Sequence, residues 1–353
     1  MARGGGSAPA ATGAIGGCIA ARPAPLTNKG SDMNPLKFLT GRVETSVIFG
    51  TVLLVAILMI STHGQWLGNV PSVLRVTAQV GIIAIGQALL MTSGEVDLSV
   101  GSVFAFVGVV FIWLTGEAGL GAEVAMVLAI AAGGAIGLVN GVITTRFRVP
   151  SMIVTMGAMF IYRGITFLAT QGASLSLPRE IRKDPMILLL KTKFLGLNLP
   201  VYALAVLVVV FVLVLARTRF GSHVTAVGGN ADAALANGIS PDAVKIRAFV
   251  LCSALSGLSG LLILCQEGSV YSTSGVKMEL ESIAACVIGG CTLRGGVGSV
   301  WGPVLGVFIL SSLKGGLMML GAPTSWYIAF VGAILVGFLV LARILNQRTG
   351  GVA

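Results

Sequence analysis

LPVYALAVLVVVFVLVLA (199–216), RTRFGSHVTAVGGNADAALANGISPDAVKIR (217–247) and AFVLCSALSGLSGLLILCQ (248–266) follow one another without a break. The two outer pieces are nearly all apolar and close to the roughly 20 residues that a helix needs to cross a bilayer. The middle piece is polar and punctuated by helix stops. Two spans joined by a structured polar connector set the fold: helices crossing a membrane, with an organised loop on one side.

Composition agrees along the whole chain. Of 353 residues 55% are apolar and only 10% charged, with a mean hydropathy of +0.96. A soluble domain carries roughly a quarter charged residues, so a cytosolic or secreted globular protein and a disordered chain are both excluded. The five cysteines, Cys18, Cys252, Cys265, Cys286 and Cys291, form no CxxC pair, and the two histidines, His63 and His223, stand apart. A zinc site, a disulfide framework and a haem centre therefore lack their ligands, and no cofactor is expected. The net charge of +10 points to basic loops beside a membrane rather than to nucleic acid.

Clear spans lie at 45–62, 123–144, 199–216, 248–266 and 324–343, and less even ones at 73–92, 99–115, 150–169 and 297–319. A segment at 281–291 is too short to cross alone. The expected fold is all-α, with about ten transmembrane helices, one short or broken. Residues 1–44 read as a disordered tail, 45–345 as the transmembrane domain with its loop at 217–247, and 346–353 as a second tail. No signal-peptide pattern is present at 1–32, and Met33 opens MNPLKFLTGR, a more usual bacterial start. With the N-terminus in the cytoplasm, inside segments hold 14 of the 23 basic residues and outside ones seven, as the positive-inside rule asks. The loop 171–198 opposes the trend, with Arg179, Arg182, Lys183, Lys191 and Lys193 outside.

Gly133, Gly137 and Gly141, and again Gly298, Gly302 and Gly306, recur every fourth residue. Such spacing lets helix backbones touch in lipid; packing within the chain is the first reading and a subunit interface the second. Glu95 and Asp97 stand between two spans in TSGEVDLSVGS. Ser93 and Gly94 end one helix, and Asp97 or Ser99 can cap the next. The alternative is a broken helix lining a polar pathway. Arg163, inside a span, either pairs with a carboxylate or snorkels outward, and snorkelling is the first reading.

Within 217–247, Asn230 is placed to cap a helix over Ala231–Ala236, with Asp232 in its first turn. Asn237-Gly238 supplies a left-handed stop, with Ile239 positioned for the apolar contact of that cap. Ser240 caps a second helix with Pro241 at its first position and runs into the next span. A short helix held between two stops and joined to a span is either an ordinary capped surface helix or a stiff handle.

AVGGNADAALANGI (226–239) resembles the cytoplasmic signature of permease subunits of monosaccharide ABC importers of the ribose and xylose type. GEVDLSVGS (94–102), VPSMIVTMGAMFIYRG (149–164) and ELESIAACVIGGCTLRGGVGSVWG (279–302) are similar to three further stretches of that family, in order, over roughly 40–345. The resemblance implies a permease homodimer in the bacterial inner membrane, a separate ATPase subunit and a periplasmic or extracellular sugar-binding protein. It implies an ATPase-coupling role for Gly229, Asn230, Ala233, Ala234, Asn237, Gly238 and Ile239. It places Glu95, Asp97, Ser99, Ile288, Gly289 and Gly290 along or near the substrate pathway. Asn237 stands where the family usually has Ser and keeps the cap chemistry; Cys291 stands where Thr or Ala is usual.

The chain has no G-x-x-x-x-G-K-[ST] loop, so ATP hydrolysis is expected on the partner, with alternating access in the permease. Sugars are neutral, and Ser, Thr and Gly along 92–102 and 286–299 suit hydroxyl-rich cargo. A branched-chain amino acid permease is the nearest alternative and an ion-coupled secondary transporter the next; an integral-membrane enzyme lacks clustered carboxylates. A reporter fused within 171–198 is expected to report the outer side; a signal there from a reporter active only in the cytoplasm would reverse the topology.

Overall fold

A computed structural model describes residues 43–323, 326–333 and 336. Its helices are α1 (Val43–Ser61), α2 (Trp66–Thr92), α3 (Val100–Gly116), α4 (Ala122–Arg146), α5 (Ser151–Ala169), the short α6 (Pro185–Lys191), α7 (Leu199–Arg217), α8 (Arg219–Gly229), α9 (Ala231–Ala236), α10 (Pro241–Glu267), α11 (Met278–Ile288) and α12 (Trp301–Met319). Six of them, α2, α4, α5, α7, α10 and α12, are long and apolar enough to cross a membrane. Val47–Ser61 within α1 and all of α3 are apolar but shorter. The protein is a polytopic, all-α membrane protein. Of the expected tails at 1–44 and 346–353, all but Val43 and Glu44, which open α1, lie outside the described residues, as does most of the span at 324–343.

Element positions follow the hydropathy reading, except that the stretch read as 297–319 becomes helical only at Trp301, the short segment read as 281–291 lies at Met278–Ile288, and two helices extend further than expected. The stretch read as 73–92 starts seven residues earlier, at Trp66. The span at 248–266 extends back to Pro241, because Ser240 and Pro241 start the helix outside the apolar stretch and nothing interrupts it. The short segment is α11, 11 residues long. At 1.5 Å per residue it covers about 16 Å, roughly half a bilayer core.

α2 and α10 form the buried centre. α10 packs most extensively on α4, then on α2 and α3, while α12 closes on α2 and α11. α5 and α7 lie outside, with few buried residues. The expectation for Gly133, Gly137 and Gly141 resolves to packing within the chain: all three face α10, Gly137 against the Phe249 carbonyl and Gly141 against the Ile246 backbone. The second glycine series differs. Gly298 precedes α12, and only Gly302 and Gly306 sit on it, against Gly289 and Ala285 of α11. The signal that misled is periodicity alone, since GGVGS carries turn conformations, Gly295 and Gly296 both with positive φ.

The 171–198 loop is a folded cap. β1 (Ser174–Ser176) pairs antiparallel with β4 (Ser269–Tyr271) just past α10, and a second ribbon joins β2 (Lys193–Phe194) to β3 (Leu197–Asn198). Leu177 and Ile187 are buried in the same apolar cluster as Phe111 of α3 and Phe249 of α10. Arg182 donates to the carbonyls of Leu177 (3.0 Å) and Gly268 (3.3 Å). Arg163 is half-buried and donates to the Ser274 carbonyl at 2.6 Å, in the loop before α11.

A methyl at Gly137 would overlap the Phe249 carbonyl, whereas at Gly134 the nearest atom would be 3.6 Å away. Gly137→Ala is expected to cost about 1–3 kcal/mol and to lower the melting temperature in detergent. Gly134→Ala is expected to be neutral or slightly stabilising through helix propensity. Equal melting curves for the two variants would refute the close α4–α10 contact.

Candidate functional site

Both groups of residues singled out by sequence meet at one end of the bundle, where α2, α11 and the 217–247 connector converge. Three helices stop there in one way. α2 ends with Gly94 at φ +90, Gly94 N–H donating to the Met91 carbonyl and Glu95 N–H to Leu90. α9 ends with Gly238 at φ +80, Gly238 N–H bonding Leu235 and Ile239 N–H bonding Ala234. α11 ends with Gly290 at φ +88, Gly290 N–H bonding Val287 and Cys291 N–H bonding Cys286. Each is a Schellman stop, which satisfies carbonyls that would otherwise be orphaned at the helix end.

The connector is built as its caps dictate. Asn230 Oδ1 accepts from Ala233 N–H at 2.9 Å and starts α9. Asn237 Nδ2 donates to the Ala233 carbonyl at 2.8 Å, while Gly238, not Asn237, takes the left-handed conformation. The Ser240 hydroxyl accepts from Ala243 N–H at 3.4 Å and starts α10. α8 was missed by the sequence reading. Its signals are Thr218, whose hydroxyl accepts from Gly221 N–H at 3.2 Å, and the apolar series Phe220, Val224 and Val227 at helical spacing. Val224, Val227, Ala234 and Val244 form a small apolar core of their own, with Ile239 packed on it. α8, α9 and the start of α10 are thus one knob.

The knob is seated by backbone contact. A methyl at Gly228 would overlap the Thr92 carbonyl that ends α2, and Gly296 N–H donates to that same carbonyl at 2.9 Å. Gly229 beside it has open space, as do Gly238 and the outer face of α9. Lys245, in the second turn of α10, holds Glu95 at 2.6 Å, with the two side chains 23% and 14% exposed. Sequence pointed to Glu95 but not to its partner 150 residues away, since only the fold brings the two together.

Asp97 and Ser99 are fully buried. Asp97 Oδ1 accepts from the Ser99 N–H (2.7 Å) and hydroxyl (2.6 Å), and Oδ2 accepts from the Ser253 hydroxyl of α10 (3.2 Å). Asn140 of α4 donates to Ser99 Oγ at 3.1 Å. The Gln87 amide of α2 pairs with the Asp97 backbone, accepting from N–H at 3.2 Å and donating to the carbonyl at 3.3 Å. Ser99 occupies the N-cap position of α3, but its hydroxyl bonds Asp97 rather than the helix. Ser151 and Thr155 of α5 accept from Val96 and Leu98 N–H. The α2–α3 turn is therefore pinned to α4, α5 and α10 together. Ile288 is buried, and Gly289 lies against Gly302 of α12. Among the described residues no group of His, Cys, Asp and Glu could hold a metal ion.

Removing one partner of the Glu95–Lys245 pair leaves a largely buried charge alone. Glu95→Gln and Lys245→Met are each expected to cost about 1–3 kcal/mol. A double-mutant cycle in denaturant should recover a coupling energy of about 1 kcal/mol or more. Additive losses would show that the pair carries no energy.

The family described as branched-chain amino acid transport system / permease component matches residues 69–339. The L-arabinose ABC transporter permease protein AraH of Azospirillum brasilense is 37% identical over 283 residues, 79% of this chain and 80% of that one. The ribose import permease protein RbsC of Escherichia coli strain K12 is 33% identical over 298 residues, covering 84% and 92% of the two chains. The xylose transport system permease protein XylH of Haemophilus influenzae is 30% identical, covering 82% and 93%. No solved structure matches. The chain belongs to the branched-chain amino acid transport system / permease component family, as a multi-pass membrane permease of the ABC type.

Proposed function

We propose that the chain is the membrane-spanning subunit of an ATP-driven importer, moving a pentose or hexose into the cytoplasm by alternating access. The observation that carries this is the knob: two short helices with their own apolar core, stopped on both sides and seated through Gly228 on the end of α2. A connector between spans needs no such stiffness; a handle pushed by another protein does. Gly229, Asn230, Ala233, Asn237 and Gly238 form the surface a cytoplasmic ATPase grips, and Ala234 and Ile239 support it from the knob's apolar core; this reading has the knob and the N-terminus in the cytoplasm. Two copies of the chain in the inner membrane, each with about ten spans, take sugar from an external binding protein. The partner ATPase hydrolyses the nucleotide.

In this reading Glu95, Asp97, Ser99 and the 288–290 turn lie beside the pathway and hold its cytoplasmic end in register. Their hydrogen bonding favours this over ion coupling. A proton- or sodium-coupled carrier needs a titratable group open to the pathway. Here both Asp97 oxygens are engaged and Glu95 is paired with Lys245. The similarity to arabinose, ribose and xylose permeases supports a monosaccharide over a branched-chain amino acid.

Gly238 has open space around it but a φ of +80, so Gly238→Val strains the stop by roughly 1–2 kcal/mol without a clash. Reconstituted with its cognate ATPase and binding protein, the variant is expected to lose most sugar uptake per ATP hydrolysed. Its melting temperature should fall by only a few degrees. Uptake and ATPase stimulation equal to wild type would remove the coupling assignment.

A further inference from the structure

Two grooves run end to end along the outward seam between α4 and α10, with volumes of about 450 and 410 Å³ and with Leu138 and Val250 common to both. The walls are apolar until the knob end, where Arg247 of α10 and Phe220 of α8 form the mouth. Arg247 sits one turn before Val250 on the same stripe. On the facing helix Arg146 follows the groove-lining Ala135 by three full turns, so the two stand only about 20° apart around the axis. Both arginines are exposed, and neither forms a salt bridge among the described residues.

An apolar groove in a lipid-facing surface takes an acyl chain, and guanidinium groups at its headgroup end take phosphate. We infer that this seam binds an anionic phospholipid, with one acyl chain along α4 and α10 and the headgroup phosphate between Arg146 and Arg247. The leaflet assignment rests on the proposed function, which sets the mouth on the cytoplasmic side. The lipid joins α4, α8 and α10 at the root of the knob, so it stiffens the handle from outside. A second copy of the chain fits the seam less well. A two-fold axis along the membrane normal would bring the same end of each copy together and set these cations against their own counterparts.

The test uses the full chain in neutral detergent, offered phosphatidylglycerol and phosphatidylcholine of matched chains and read by native mass spectrometry. Wild type is expected to retain phosphatidylglycerol preferentially. Arg146→Gln and Arg247→Gln should each weaken that retention about fivefold, the ratio that one surface arginine supplies. Leu138→Trp, which fills the groove, should displace the lipid with both arginines intact. Arg179→Gln with Lys183→Gln, at the opposite end, should change nothing. Equal retention of the two lipids, or an equal loss in the opposite-end variant, would overturn the site. So would a dimer that Leu138→Trp dissolves while lipid stays bound, since the seam would then belong to a second copy. None of these readouts involves ATP or transport, so the site stands or falls apart from the transport reading.

Discussion

Backbone-to-backbone contact between helices is the constraint from which the rest of the structure follows. In lipid no hydrophobic gain rewards one apolar surface for meeting another, so helices associate through close packing and satisfied polar groups. The chain meets this by omitting side chains at the crossings. Gly137 rests on Phe249, Gly86 on Cys252, Gly260 on Phe104 and Gly302 on Gly289. Each contact brings two backbones to a distance that one methyl would forbid. The helices are thereby fixed in register with α10, and the hydroxyls and amides around Asp97 fall opposite their partners. That network is complete because its members sit on α2, α3, α4 and α10, whose relative heights the glycines have already set.

The same economy appears at the end that carries the knob. Three helices terminate there, and each does so through a left-handed glycine that folds its last carbonyls inward. The stops are short and satisfied, so the following residues leave in defined directions. Glu95 leaves α2 toward Lys245, Ile239 leaves α9 toward the knob's own core, and Cys291 leaves α11 toward Ser299. Gly228 then lets α8 rest on the Thr92 carbonyl. Rigid ends, rather than long side chains, connect the connector to the membrane body.

Much of this was legible in residues alone. Span positions came from apolar length, the limits of α9 from Asn230, Gly238 and Ser240, and the half-length α11 from a stretch too short to cross. What escaped has physical reasons. α8 is weakly apolar and begins at Thr218, a less favoured cap than the Asn230 that follows, so the second helix hid the first. For Arg163, sequence shows the cost of a guanidinium within a span but not the Ser274 carbonyl 111 positions away that accepts from it. Gly298 fitted a helical period by coincidence within a run of turn glycines. The Glu95–Lys245 pair and the Asp97 network are long-range facts, set by which helices touch, and no local pattern encodes them.

α10 deserves a last consequence. It runs 27 residues without interruption, about 40 Å, with the knob at its start and the β1–β4 ribbon just beyond its end. The ribbon binds the 171–198 cap, and Ile187 anchors that cap in the same core. One continuous beam thus has a load on each tip and its fulcrum at the Gly137 crossing. A displacement at either tip is therefore carried along the whole helix to the other, and the knob and the cap answer to one rigid body.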